Sequence, residues 1–128
     1  MIEQAIRDVL VADAGVTNLV GSRVHFVQAP QDVDNPYIVL TKISGVRDNA
    51  HDGATGLVHT RIQLSVFATT YYEAKQIVQA AQNVLQAYSG LMGTVQVDSC
   101  FYENETDTYE TDTKLYHVTS DYVIWNEE

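Results

Sequence analysis

Two segments of this 128-residue chain carry apolar residues at helical spacing. Residues 2–11 place five of them on one helical face: Ile2, Ala5, Ile6, Val9 and Leu10. We expect this helix to end near Ala14-Gly15 and residues 16–20 to form a further short turn. Residues 70–88 repeat apolar positions at Ala74, Ile77, Val78, Ala81, Leu85 and Tyr88. Thr70 and Glu73 have the spacing of a capping box at its start, and Gly90 is expected to end it.

Five further segments have the composition of β-strands: residues 24–28, 37–44, 57–68, 94–102 and 114–125. Residues 37–44 are apolar on both faces, which is typical of a central strand. Residues 57–68 alternate, with Val58, Ile62, Leu64, Val66 and Ala68 on a buried face and His59, Arg61, Gln63 and Ser65 on a polar face.

Two polar segments separate these strands. Residues 45–56 (GVRDNAHDGATG) contain three glycines, and we interpret them as a long polar connection. Residues 103–112 place five carboxylates in ten residues, and we interpret them as a solvated acidic turn that joins the last two strands as a hairpin.

This order of elements predicts a single domain over residues 1–128, and it predicts the α+β class. We expect a mostly antiparallel sheet of four to five strands with two main helices packed on one face. No internal repeat or linker divides the chain.

Composition excludes several classes of function. Seven Lys and Arg oppose seventeen Asp and Glu, and this net charge of −10 argues against capture of nucleic acid or an anionic membrane. No apolar stretch approaches the roughly 20 residues needed to span a bilayer. The single cysteine, Cys100, excludes an internal disulfide and is expected to be a small buried hydrophobe.

Candidate chemistry is sparse. His51, Asp52 and His59 carry imidazole and carboxylate groups that suit zinc or iron, but nothing in their spacing fixes a geometry, so ordinary exposed side chains explain them better. Glu103, Glu105 and Asp107 are spaced by two as in a calcium loop, yet the glycine of such a loop is missing. We therefore predict no catalytic residue, no metal site and no cofactor.

Several segments, taken in order, resemble the small tail completion proteins of long-tailed bacteriophages, also described as tail terminator or head-to-tail joining proteins. The resemblance lies in the opening IRDVLVADAGVTNLVGSRV, in Ala29-Pro30-Gln31, in PYIVL at 36–40, in DGATGLV at 52–58 leading to RIQL at 61–64, in ATTYYEA at 68–74, and in ENETDTYE at 103–110 before LYHV at 115–118. It covers nearly the whole chain.

The resemblance implies a structural virion protein without enzyme activity or cofactor, located at the head-to-tail junction and made in the host cytoplasm. Such proteins cap the head-proximal end of the tail tube as a homo-oligomeric ring, usually described as hexameric, and present a surface to the head connector. The implied partners are further copies of the chain, the tail-tube protein and the connector protein. If DNA passes through the lumen, carboxylates lining it would repel phosphate and prevent specific binding. The alternative is that these charges only keep the protein soluble before assembly.

A ring needs two different patches that meet around a circle, and a sheet edge plus an exposed strand face supply candidates. We expect contacts through the polar face of residues 57–68, the final strand, the glycine-rich segment and the acidic segment. The candidate interaction residues are Arg47, Asp48, His51, Asp52, His59, Arg61, Gln63, Glu103, Glu105, Asp107, Glu110 and Asp112. Two alternatives stay open: another neck or tail-tube component, and a small ligand-binding or enzymatic α+β domain.

Overall fold

The structure is a computed structural model that describes residues 1–50 and 53–127, with the backbone alone at 48–50 and 53–55. Within these ranges it contains three helices: α1 (Ile2–Ala12), α2 (Ala14–Val20) and α3 (Tyr71–Leu85). Six strands complete it: β1 (Val24–Phe26), β2 (Tyr37–Ala50), β3 (Gly53–Ala68), β4 (Gly90–Met92), β5 (Val95–Glu110) and β6 (Leu115–Glu127).

The six strands form one sheet in the order β1-β2-β3-β6-β5-β4. β1 runs parallel to β2, and all other neighbours are antiparallel. The α+β class is therefore confirmed, and the two main helices are α1 and α3, whereas the expected four to five strands are too few. The strand that was not predicted is β4, which has three residues, because so short a strand does not show a period of alternation.

The first helix ends earlier than expected. Asp13 has extended backbone angles (φ −91°, ψ 124°), and its carboxylate Oδ2 accepts a hydrogen bond from the Val16 amide at 3.1 Å. Asp13 thus ends α1 and caps α2. Gly15 lies inside α2, so its predicted role in ending α1 is wrong, whereas the predicted turn at residues 16–20 is confirmed as part of α2.

The start of α3 matches the prediction and its end does not. The Thr70 hydroxyl accepts a hydrogen bond from the Glu73 amide at 3.1 Å, which is the N-cap expected from the sequence. The helix ends at Leu85, because the chain then turns to the sheet edge, where the Ala87 amide donates to the Cys100 carbonyl at 2.9 Å. Tyr88 is therefore outside the helix, and Gly90 begins β4.

One hydrophobic core lies between the helices and one face of the sheet. The predicted buried positions of β3 all belong to that face, and each is at most 7% exposed: Val58, Ile62, Leu64, Val66 and Ala68. They meet fully buried residues of α1, α3 and β6, including Ile6, Leu10, Ile77 and Ile124. No helix in the described part of the chain packs on the second face, which we call the open face. The chain around Pro30 lies over part of it, and Val39 and Ser65 of this face are each only 8% exposed, so the polar position predicted for Ser65 is buried.

The glycine-rich segment is not the predicted loop. β2 continues to Ala50 and β3 begins at Gly53, with pairs such as Arg47↔Val58 and Asn49↔Ala54 in the ladder. Backbone hydrogen bonds join neighbouring strands whatever their side chains are. Two polar strands that no helix covers can therefore stay paired without apolar residues on one face. His51 and Asp52 lie outside the described residues.

The acidic segment is a strand rather than a turn. β5 extends to Glu110, and the connection to β6 is the short stretch 111–114, closed by a hydrogen bond from the Lys114 amide to the Glu110 carbonyl at 2.8 Å. The predicted hairpin of the last two strands is confirmed, and its tip is displaced toward the C-terminus.

Candidate interaction surface

The polar face of β3 and the last strand form one continuous surface, because β3 pairs with β6. His59 lies opposite Trp125, and their rings stack at 4.8 Å between centroids. Gln63 lies opposite Asp121 and donates a hydrogen bond to its carboxylate at 3.4 Å. The two strands expected from the sequence to make neighbour contacts are thus side by side, and their role in contacts stays a prediction.

An aromatic ladder crosses the open face at one end of the sheet. Tyr37 of β2, Phe67 of β3 and His117 of β6 occupy one row of the ladder register. Their rings stack at 4.8 Å and 4.2 Å between successive centroids. Such cross-strand pairs stabilise a sheet surface without a covering layer. Sequence reasoning did not select these residues, because strand neighbours are distant in sequence; their outward alternation was the available signal.

Burial lowers the pKa of His117 below its usual value, although the carboxylate of Glu110 acts in the opposite direction. Its Nδ1 lies 3.6 Å from that carboxylate, and its Nε2 lies 3.2 Å from the Thr119 hydroxyl. The ring is therefore neutral at pH 7, and it contributes to the ladder as an aromatic group rather than as a cation.

The acidic residues of β5 are exposed but paired. Glu103 accepts from Arg61 of β3 at 3.2 Å. Glu105 and Asp107 both bind the ammonium of Lys75 on α3, with 2.7 Å from Nζ to Asp107 Oδ1. The acidic segment is therefore tied to the rest of the domain, which the solvated-turn interpretation did not anticipate.

These contacts set the protonation of the cluster that we call the Lys75 cluster, made of Lys75, Glu105, Asp107, Tyr71 and Tyr102. Hydrogen bonds from Lys75 lower the pKa of both carboxyl groups. Burial would lower the pKa of Lys75, but its bonds to Asp107 and Glu105 outweigh this and raise it. Tyr71 donates to Asp107 at 2.5 Å and Tyr102 donates to Glu105, so the carboxylates are held ionised by three donors.

The remaining predicted interaction residues are less informative. Arg47 is exposed on β2, and Asp48 is placed there by its backbone alone. Asp112 lies in the connection between β5 and β6 and is exposed. Lys75 was missed by sequence reasoning, since nothing in a helix shows that it will meet carboxylates some thirty residues later.

Two kinds of reactive group can be assessed in the described part of the chain: metal-binding clusters and the thiol of Cys100. There, no three histidine, cysteine, aspartate or glutamate side chains come together as a metal site requires. Cys100 is fully buried as expected, and burial raises the pKa of its thiol to about 12, which keeps it protonated and unreactive.

Two cavities flank the sheet. One of about 410 Å³ lies between the chain around Pro30 and the open face at Tyr37 and Phe67. The other, of about 610 Å³, lies near the start of α1, beside Thr60 and Asn126. Neither lining, among the residues described, includes a histidine or a cysteine. No helix in those same ranges combines the length and apolar character needed to cross a bilayer.

The chain matches the family described as Tail completion protein gp17 over residues 4–127, and it belongs to that family. It is a bacteriophage-type tail structural protein, and its location is the virion.

A solved structure supports the same fold. A chain in the structure titled "Virion of native gene transfer agent (GTA) particle" superposes with a TM-score of 0.85 at 16% sequence identity. The match covers 99% of this chain and 95% of that one. A comparison with curated proteins finds no match.

Proposed function

We propose that this protein caps the head-proximal end of a phage tail tube as a homo-oligomeric, hexameric ring and joins it to the head connector. The match to the tail completion family over residues 4–127 carries the proposal. The fold shared with a chain of a gene transfer agent virion supports it, because that chain also belongs to an assembled particle.

The architecture fits a role in assembly better than catalysis. The open face presents ordered rings and paired charges over β2, β3 and β6, and such a surface can meet a partner without first becoming ordered. We propose no catalytic step and no cofactor. The contacting surfaces are proposed to include His59, Arg61 and Gln63 of β3.

Native mass and tube binding test this function together. Light scattering over a wide concentration range, with negative-stain images of the largest species, should show closed rings of about six copies. Labelled protein should bind one end of purified, unterminated tail tubes. Tubes from finished tails, whose ends are already capped, are the matched control and should bind none. Failure to bind open tube ends, or binding along the tube wall, would contradict the proposal.

We also propose that DNA passes through the ring without specific binding, which the net charge of −10 supports. Replacing Glu103, Glu105, Asp107, Glu110 and Asp112 by their amides should then slow DNA ejection from assembled particles. Because Glu105 and Asp107 bind Lys75, a second variant, Asp112→Asn alone, separates loss of charge from loss of that cluster. An unchanged ejection rate in particles that contain the variant with all five substitutions would contradict a role of these carboxylates in DNA passage.

A further inference from the structure

Residues 27–33, which we call the Pro30 segment, lie over part of the open face and border a cavity of about 410 Å³ between themselves and the sheet. We call this space the Pro30 cavity. Its floor comes from β2 and β3 and includes Tyr37, Val39, Ser65 and Phe67. Ligand pockets commonly have volumes of about 300–1,000 Å³, so the Pro30 cavity has room for one large side chain and the main chain beside it.

A hydroxyl group without a partner faces this cavity. Ser65 lines the floor and is only 8% exposed, and its hydroxyl makes no hydrogen bond to any described residue. A polar group that is nearly buried and unpaired lowers stability, and a partner that supplies the missing hydrogen bond recovers that free energy. The floor therefore favours an occupant that brings a main-chain donor or acceptor along with apolar atoms.

One wall of the cavity is held in an unfavourable backbone conformation. Val27 has a φ of 64°, which is rare for a β-branched residue. Its amide donates to the Leu40 carbonyl at 2.9 Å, and the Gln28 amide donates to the Phe26 carbonyl at 2.6 Å. Backbone strain of this kind is frequent in ligand clamps. The wall at Val27 is thus fixed before any occupant arrives.

The lining favours an uncharged occupant. None of the described residues that line the cavity is an aspartate, glutamate, lysine or arginine. A charged side chain buried there would lose its hydration without gaining an opposite charge. Asp32 and Asp34 lie next to the lining residues in the sequence and would repel an acidic segment. We therefore expect an apolar side chain from a segment without charged residues.

Leu91 of β4 has these properties. Among the large apolar side chains that are exposed in the described part, it is the one with no charged residue within six positions of the sequence. Its side chain is 66% exposed. Its carbonyl accepts a hydrogen bond from the Tyr88 hydroxyl at 2.7 Å, and the next residue, Met92, is fully buried. Because the main chain is already held, burying this leucine orders few further groups.

The cavity and Leu91 belong to opposite sides of the sheet. The Pro30 segment follows β1, which is one edge strand, and β4 is the other edge strand. Four strand spacings separate β4 from β2, which corresponds to about 19 Å. A leucine side chain does not cover that distance, so the occupant comes from another copy. A contact between two different patches of one chain is head-to-tail, and repeated by rotation it closes into a ring.

We propose that Leu91 of one copy inserts into the Pro30 cavity of the next copy, where a main-chain group beside Leu91 bonds to the Ser65 hydroxyl. The inference rests on the proposed ring and names two surfaces that would form it. Each copy then uses one cavity and one leucine, and every copy of the ring makes the same two contacts.

The test uses two variants of the full chain that each disable one surface. Variant A, Leu91→Asp, puts a charge where the uncharged cavity needs an apolar group. Variant B, Thr41→Trp, fills the cavity from its floor, and Ala29→Trp fills it from the Pro30 segment if Thr41→Trp does not fold. The matched controls are Tyr72→Asp on α3, whose side chain is 73% exposed, and Thr106→Trp on the open face outside the lining. Circular dichroism and melting temperatures verify that all of them fold.

Native mass is measured for each variant and for an equal mixture of A and B. We expect A and B alone to associate about tenfold or more weakly than the unmodified chain, because each loses the burial of one leucine. The two controls and the volume-conserving variant Leu91→Met should associate normally. The mixture should form dimers and nothing larger, because A keeps an intact cavity and B keeps an intact Leu91, while the other two surfaces are disabled.

Three outcomes overturn the inference. If A or B alone forms rings, Leu91 and the Pro30 cavity are not the contact, and the rings would still support the proposed function. If the mixture stays monomeric, or grows beyond dimers, the two surfaces do not bind each other in the way proposed. An unmodified chain that stays monomeric at millimolar concentration also overturns this contact, and tube-end binding then tests the proposed function separately.

Discussion

The two faces of this sheet are formed by the same strands and are stabilised by different interactions. On the helix-covered face, Leu64 and Ile124 are fully buried in one continuous core. On the open face, their sequence neighbours Gln63 and Trp125 make single contacts with one cross-strand partner each. Burial of an aliphatic side chain contributes about 1.5–3 kcal/mol, whereas a cross-strand pair contributes about 0.2–1 kcal/mol.

The difference indicates that stability depends mainly on the helix-covered face, and we propose that contacts with partners use the open face. We therefore expect that the exposed residues of the open face can be changed at little cost to folding, unlike Val39 and Ser65 of that face, which are each 8% exposed. The predictions below test this division, beginning with the largest effect.

Adjacent residues on opposite faces of β3 give the sharpest comparison. Leu64→Ala should lower the free energy of unfolding by about 2–5 kcal/mol, because it leaves a cavity in the core. Gln63→Ala removes only the bond to Asp121 and should cost less than about 1 kcal/mol. Urea denaturation measures both. Equal losses would show that the open face is as important for folding as the core.

The helix-covered face also depends on the cap of α3. Thr70→Ala removes the hydroxyl that accepts from the Glu73 amide and should cost about 1 kcal/mol of unfolding free energy. Thr69→Ala, one residue earlier, is the matched control and should change little. Thermal unfolding of the pair is the measurement; a larger loss at Thr69 would contradict the assignment of the cap.

The Lys75 cluster should stabilise the protein only while its carboxylates are ionised. Because the pKa values of Glu105 and Asp107 are lowered, their stabilising effect is present above their usual values of about 4 and is lost as the pH falls further. Lys75→Met should therefore cost up to about 1 kcal/mol at pH 7, since the cluster is partly exposed, and progressively less as the pH falls below about 4. Unfolding of both proteins across this range checks the trend, and a pH-independent difference would refute it.

The smallest effect is expected at His117. Its pKa is lowered in the folded state, so the unfolded chain binds a proton more readily and stability falls as the pH drops below about 6.5. His117→Phe keeps an aromatic ring against Phe67 and should lose less stability between pH 7 and pH 5 than the unmodified chain. NMR titration of the His117 ring gives the direct check; a pKa above 6.5 would reverse the sign.

The buried faces of β3 and α3 were predictable from the sequence, whereas the contact between α3 and β5 was not. The alternation in residues 57–68 identified the buried side of β3 correctly, and the spacing of α3 identified its core residues and its Thr70 cap. Lys75 was invisible as a partner of β5, because contacts between a helix and a strand thirty residues away follow from packing and not from any local period.

The two errors about loops have one physical cause. Residues 45–50 and 103–110 are polar, and polar segments rich in Gly, Asp and Asn are typical of turns. Both are strands because each has a neighbouring strand in register, which supplies backbone hydrogen bonds whatever the side chains are. Composition therefore gave the wrong prediction in these two segments, because strand pairing and not the burial of apolar side chains determines their structure.

By itself the sequence determined the class of the fold, the core face of β3, the cap of α3 and the resemblance to tail completion proteins. Each of these depends on residues close together in the chain or on the order of segments. Only the tertiary structure decided that β3 and β6 lie side by side and that Lys75 binds the acidic strand. These features depend on strand order and register, which arise when distant segments pack together to bury the apolar face.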